Sequence, residues 1–192
     1  DVSAFPYTVV NVKAGEIQVV LNNGINFYGI RYDATEGSAA EKVDKVWDFS
    51  APEWVDAMTG SGIAANTNDS NWNLEVNGLK VVSGGGSIKW NFSGETYYWQ
   101  PGGKSDGTTR YFEFTTDVAG TVTVYSSNTG GSEDLTRMVT VKVGDADPES
   151  LPGGTPSGDA PTKNDFSVGA GTVKIYPTGN GLRFYKIEFH SL

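Results

Sequence analysis

Short stretches of alternating apolar and polar residues recur along almost the whole chain, and they leave few folds open to it. Residues 16–21, 79–82, 87–92, 111–115, 121–125, 136–143, 172–176 and 182–189 each carry this period of two. Each is rich in β-branched or aromatic residues and is closed off by Gly, Asn, Asp or Ser, the signature of a strand with one face in a core. Asn23-Gly24, Asn77-Gly78 and Asn180-Gly181 read as hairpin turns, because both residue types tolerate positive φ. Only residues 51–58 suit a helical turn or two, with Ser50 as N-cap, Pro52 in the first turn and Glu53 at the third helical position. The pattern predicts an all-β protein, most simply an antiparallel β-sandwich.

One segment occurs twice. Residues 12–32 (VKAGEIQVVLNNGINFYGIRY) align with residues 168–189 (VGAGTVKIYPTGNGLRFYKIEF) if one extra residue is allowed in the second turn. Val12/Val168, Ala14/Ala170, Gly15/Gly171, Gly24/Gly181, Phe27/Phe184, Tyr28/Tyr185 and Ile30/Ile187 are then identical. Both copies read as strand, Asn-Gly turn, strand, and duplication explains them better than convergence. Three parts follow: a hairpin over 1–32 resembling the end of a preceding copy, a small polar linker over 33–41, and a β-sandwich module over 42–192. The hairpin either belongs to a preceding copy or adds strands to an open sheet edge. Residues 144–164, rich in Asp, Pro, Gly and Ser, read as a long surface loop.

Composition removes whole classes of chemistry. The chain has no Cys and one His, His190, which excludes a disulfide framework, a thiolate zinc site, a cysteine nucleophile and a multi-His metal centre. Asp and Glu outnumber Lys and Arg 23 to 14, for a net charge of -9, which argues against nucleic acid and anionic membranes as partners. No apolar run approaches the ~20 residues that span a bilayer, so membrane insertion is not expected. The chain opens at Asp1 without the basic start and apolar stretch of a secretory leader, as a mature or excised form would. A Ser-His-Asp triad would have to use His190, which reads instead as an exposed residue of the last strand. Glu53, Asp56, Glu75, Glu95 and Glu113 could supply a glycosidase pair, but on so acidic a chain they read as a solvated face. The glycine run 84–86 lacks a following Lys-Ser/Thr, so it is no phosphate loop.

The order of motifs over 43–192 carries a resemblance. Val46-Trp47-Asp48-Phe49-Ser50 opens the unit, and Tyr111-Phe112-Glu113-Phe114 follows a Gly-rich stretch. Then come Gly120-Thr121-Val122-Thr123-Val124-Tyr125-Ser126-Ser127, Arg137-Met138-Val139-Thr140-Val141, Gly171-Thr172-Val173-Lys174-Ile175-Tyr176 and Gly181-Leu182-Arg183-Phe184-Tyr185-Lys186-Ile187. This resembles the non-catalytic β-sandwich modules, of galactose-binding-like jelly-roll type, attached to secreted bacterial pectate lyases and related polysaccharide-degrading enzymes. The resemblance implies secretion, carbohydrate binding with pectin among the substrates, and an attached catalytic domain. It requires no cofactor, and leaves room for one structural calcium ion held by loop oxygens.

Sugar binding needs a flat aromatic ring for the apolar pyranose face and planar polar groups for the hydroxyls. In the run 97–99 of three aromatics, a strand would turn Tyr97 and Trp99 to one side and Tyr98 to the other, so at least one ring faces away from a one-sided core. Tyr97, Trp99 and the loop residue Trp72 are the candidate platforms, each with a core placement as its plain alternative. Arg110 and Arg137 are the candidate guanidinium forks, which would suit the uronic acids of pectin, although a net charge of -9 opposes acidic polysaccharides unless the site is locally basic; surface ion pairs are their plain alternative. Asn128 lies beside Arg137 in the loop 128–134 and joins the set. The competing functional reading is a structural spacer or assembly domain of an extracellular modular protein, joined to its neighbours by strand exchange.

Overall fold

The alternation is realised as strands β1 (Asp44–Asp48), β2 (Asn73–Val76), β3 (Leu79–Val82), β4 (Ile88–Ser93), β5 (Thr96–Pro101), β6 (Tyr111–Thr116), β7 (Gly120–Asn128), β8 (Met138–Val143), β9 (Glu149–Pro152), β10 (Thr162–Val168), β11 (Gly171–Thr178) and β12 (Leu182–Ser191), with one helix, α1 (Pro52–Gly60). The computed structural model describes residues 42–192. The hairpin expected over 1–32, its strand at 16–21 and the linker 33–41 lie outside the described residues. The strands form two antiparallel sheets packed face to face as a β-sandwich. Sheet A runs β10-β7-β12-β5-β4, with β1 also on β12, and sheet B runs β2-β3-β6-β11-β8-β9.

Inward residues of both sheets make one core. Trp47, Trp99, Val122, Val124, Phe184, Ile187 and Phe189 come from sheet A, and Leu79, Val81, Phe112, Phe114, Val139, Val173 and Ile175 from sheet B; all are buried. Aromatic pairs bind the layers: Trp47 lies 4.9 Å from Phe114 and Phe184 5.1 Å from Phe112, centroid to centroid. Such pairs add to simple area burial. Helix α1 closes one end of the sandwich with Trp54 and Met58, and Trp54 meets Phe49 edge-on at 5.0 Å.

Three expectations need correction. The cap of α1 is Ala51, without a side-chain bond. The Ser50 hydroxyl is instead occupied by the Tyr97 amide at 2.9 Å, which ties the helix entry to β5. The loop 144–164 contains β9 and the first residues of β10. These were hidden because Glu149–Pro152 is a short edge strand with charge and proline in it. Finally, β11 and β12 are not a hairpin. The first pairs with β6 and β8, the second with β7, β5 and β1, so residues 179–181 form an arch between the sheets. Asn77-Gly78 is the turn expected, with φ of 50° and 79° between paired Val76 and Leu79. In the arch the left-handed residue is Gly179, not Asn180 or Gly181.

Strand β12 organises sheet A. Its first half meets β5 at Phe184↔Trp99 and its second half meets β1 from Lys186 to His190, so two strands share one edge in succession. Against β7 the register slips between Phe184 and Lys186. Such a bulge re-aims side chains, and here it turns both Tyr185 and Lys186 outward between buried Phe184 and Ile187.

Candidate functional site

The outward face of sheet A gathers aromatic and planar polar side chains. Alternation places Lys89 and Asn91 of β4 outward, since Ile88 and Trp90 are in the core. By the same rule Tyr98 and Gln100 of β5 face outward beside core Trp99. From β12 come Arg183, Tyr185, Lys186 and Glu188, and from β7 Thr123, Tyr125 and Ser127. Tyr98 and Tyr185 lie 5.4 Å apart, and the Arg183 guanidinium sits 5.0 Å from the Tyr98 ring. Tyr185 shares a hydrogen bond of 3.0 Å with Ser127, and Asn91 donates to the Gln100 amide oxygen at 3.3 Å. Strands β5, β7 and β12 are each paired on both sides, whereas β4 is the edge of the sheet.

The two ends of this face differ in how fully they are satisfied. At one end Lys186 bonds Glu188 at 2.7 Å and lies 4.1 Å over the Tyr125 ring, while Tyr125 donates to Glu188 at 3.2 Å. The hydrogen bond to Glu188 raises the Lys186 ammonium above its ordinary range. Burial pushes Glu188 up, but the bond and charge of Lys186 outweigh it and hold the carboxyl below its ordinary range. His190 joins this end through Asp44, at 3.0 Å. The other end, around Tyr98, is closed, with Tyr98 itself 8% exposed, and holds unpartnered polar atoms. Asn91 is 2% exposed, yet its Oδ1 has no partner, and neither does the buried Nε of Arg183.

The residues expected at the site are distributed differently. Trp99 and Trp72 are core, 0% and 3% exposed, stacked edge-to-face at 4.8 Å, so neither presents a face to a ligand. Trp72 also donates its indole N–H to the Ile88 carbonyl at 3.1 Å. Tyr97 points inward with Trp90 and is half-buried against it at 5.9 Å. Arg110 has φ of 54° and packs on Gly86, with Nη2 on the Lys104 carbonyl at 2.6 Å. Arg137 donates Nε to Asp134 at 2.8 Å, and its Nη1 to Thr129 and to the Gly181 carbonyl. Asn128 is fully buried, its amide bonded to the Ser132 carbonyl at 2.7 Å and its oxygen accepting from the Gly130 amide. These last two residues build the loop 129–137 rather than a face. Tyr98, Tyr185, Gln100 and Asn91 were not singled out from the sequence, although the parity of the 97–99 run already required one outward ring.

Asp134 carries a consequence for acid stability. Hydrogen bonds from the Thr136 hydroxyl, then from Arg137 and the Thr136 amide, lower its carboxyl from 3.8 to about 2. A depressed carboxyl stabilises the fold above its unfolded value and loses that contribution as pH falls through the folded one. The Asp134→Asn variant should therefore show a smaller drop in melting temperature than the parent between pH 4 and pH 2. Equal drops would remove Asp134 from the acid response.

Two other surfaces compare with this face. The outward side of sheet B holds an open polar depression of about 430 Å³, lined in part by Asn71, Asn73, Lys80, Tyr111 and Glu113. Two of its lining side chains are engaged by Lys174 of β11, which lies 3.8 Å from Glu113 and 4.2 Å from the Tyr111 ring centroid. At the β4–β5 hairpin Phe92 is 48% exposed and leans on Tyr97 at 5.5 Å. Among the described residues no three His, Asp or Glu side chains come together as metal ligands, and no helix is long and apolar enough to cross a membrane.

No protein-family model matches the chain, and no curated protein does. One similar solved structure belongs to the work "The complexity of the Ruminococcus flavefaciens cellulosome reflects an expansion in glycan recognition". The alignment covers 78% of this chain and 95% of that one, at 14% identity and a TM-score of 0.35.

Proposed function

We propose that residues 42–192 are a non-catalytic carbohydrate-binding module of a secreted protein, holding an attached polysaccharide-degrading domain on plant cell-wall glycan. The observation that carries this is the half-buried Tyr185 beside Arg183 and Gln100 on the outward face of sheet A, with buried Tyr98 and Asn91 packed among them. The Tyr185 ring supplies the surface for sugar C–H groups, and the Gln100 amide and Arg183 guanidinium supply the in-plane hydrogen bonds that hydroxyls need. Tethering would act by raising the effective concentration of the partner domain at an insoluble substrate. The face bears no nucleophile with an activating base: its one His bonds Asp44, and its Ser127 bonds Tyr185.

Affinity electrophoresis through soluble polysaccharides, with a glycan array beside it, tests this reading. Tyr185→Ala should weaken binding about tenfold, the scale of one aromatic stacking contact. Phe92→Ala should leave it unchanged. Loss confined to Phe92→Ala would move the binding surface to the hairpin end. No retardation of the parent by any glycan would overturn the proposal in favour of a spacer, which light scattering would then examine for self-association.

A further inference from the structure

The segment that occurs twice has a place in the fold that its described copy reveals. Strand β11 lies between β6 and β8 in sheet B. Strand β12 lies in sheet A with β7 on one side and β5 and β1 on the other. The two strands share no register with each other, so their main-chain groups are satisfied by the rest of the sandwich.

Residues 12–32 repeat what faces inward in that copy and change what faces outward. Buried Val173, Ile175, Leu182, Phe184, Ile187 and Phe189 correspond to Ile17, Val19, Ile25, Phe27, Ile30 and Tyr32, all apolar or aromatic. Outward Thr172, Lys174, Arg183, Lys186 and Glu188 correspond to Glu16, Gln18, Asn26, Gly29 and Arg31, and none is the same. Even the irregularity of β12 recurs. Phe27 and Ile30 are spaced as Phe184 and Ile187 are, one residue wider than the alternation of a regular strand, and in β12 that slip is the bulge against β7. Tyr28 stands where Tyr185 shares its hydrogen bond with Ser127. The turn Asn22-Asn23-Gly24 is one residue shorter than the one holding Gly179, but after Gly it is Asn that most readily takes the left-handed conformation found at 179.

This pattern does not suit a single free edge. The inward residues of β11 and β12 enter one core from opposite layers, so a segment patterned on both fits two open places in one sandwich. In the described sandwich those places are held by residues 171–191, whose covalent attachment gives them the higher effective concentration. We infer that residues 12–32 are a closing pair of strands for a second copy of the sandwich body, residues 42–167 of another chain. They enter its sheet B between β6 and β8 and its sheet A between β7 and the edge formed by β5 and β1. Main-chain pairing on both flanks of each strand supplies the affinity, and the core places taken by Phe27 and Ile30 supply the register.

The test co-refolds the full 192-residue chain with a fragment of residues 42–167 and reads the products by size exclusion with light scattering. An equimolar complex is expected, and a peptide of residues 168–192 should compete with it. Phe27→Asp in the full chain places a charge where the partner's core takes a ring, and should abolish capture. Phe27→Leu should retain it. Both variants keep residues 168–192, so their own sandwiches should melt as the parent's does. A second measurement needs no separate fragment. The chain ended at residue 167 keeps residues 12–32 and lacks β11 and β12. It should still show a cooperative melting transition, which Phe27→Asp removes. Capture or a transition that depends on Phe27 in this way supports the inference. A complex formed equally well by Phe27→Asp would overturn it as non-specific association, and so would the absence of both capture and transition.

Discussion

Replacing Trp99 with alanine is expected to lower the unfolding free energy by about 3–5 kcal/mol, the range for truncating a large buried aromatic. Trp99 is fully buried and touches three parts of the core at once. It meets Trp72 edge-on at 4.8 Å, meets Phe49 at 6.4 Å and pairs across strands with Trp90 and Phe184. The Phe184 pair is the one register contact that joins β5 to β12, so the cavity would open where the sheet has least to spare. Its indole N–H has no acceptor, so Trp99→Phe loses volume and no hydrogen bond, and should cost about 1–2 kcal/mol. Trp72→Phe gives up the bond to the Ile88 carbonyl as well, and should cost more than Trp99→Phe. Urea titrations of the three variants check the order. Trp99→Ala should also weaken glycan binding, although Trp99 cannot touch a ligand, because Tyr98 and Gln100 stand on either side of it. A loss below about 1 kcal/mol for Trp99→Ala would mean that the sheet edge carries no such burden.

What could be read beforehand divides along a physical line. Strands with dense β-branched and aromatic alternation, such as 111–115 and 172–176, were legible because the period of two is written in the residues themselves. Asp44–Asp48 and Asn73–Val76 were not, since their Asp, Lys and Asn lower strand propensity and only pairing with β12 and β3 makes them strands. The copied segment was legible as a repeat, but not in its geometry. A strand–turn–strand pattern looks the same whether the strands pair or arch between layers, and only Val173 and Phe184 facing one core from opposite sheets decides it. The described copy therefore contributes an interior strand to each sheet, not an added edge. The site was half legible. Parity required an outward ring among residues 97–99, and the choice of Tyr98 over Tyr97 and Trp99 depended on the register with β4 and β12. Tyr185 was out of reach, because it faces outward through a bulge that no local pattern announces. Arg110 and Arg137 resemble Arg183 in sequence context. Only the loop carbonyls and Asp134 around the first two distinguish a clamp from a free fork.

The arch that separates those two strands makes the second large expectation. Gly179→Ala should destabilise the fold by about 3 kcal/mol or more, against about 1 kcal/mol for Gly78→Ala. Both glycines are left-handed, with φ of 82° and 79°. They differ in what surrounds them. A Cβ on Gly78 would meet only the mobile tip of Lys45, 3.9 Å away. A Cβ on Gly179 would run into the Thr136 carbonyl oxygen and lie 3.0 Å from its carbon. Backbone cannot rotate aside, and this stretch is fastened on both sides. Thr136 and Arg137 bond back to Asp134, and the Arg137 carbonyl accepts from the Gly153 amide at 2.6 Å. The only escape is for the arch to move, and the arch is what sets where β12 begins. Arg137 also holds the Gly181 carbonyl at 2.9 Å, two residues before Arg183. Displacing the arch should therefore shift Arg183 relative to Tyr98 and weaken glycan binding even below the melting temperature, whereas Gly78→Ala, at the opposite sheet, should leave binding alone. Paired melting and affinity-gel measurements on the two variants read both effects. Equal stability losses would show that the arch has slack, and unchanged binding in Gly179→Ala would show that the face is held by β5 and β7 without it.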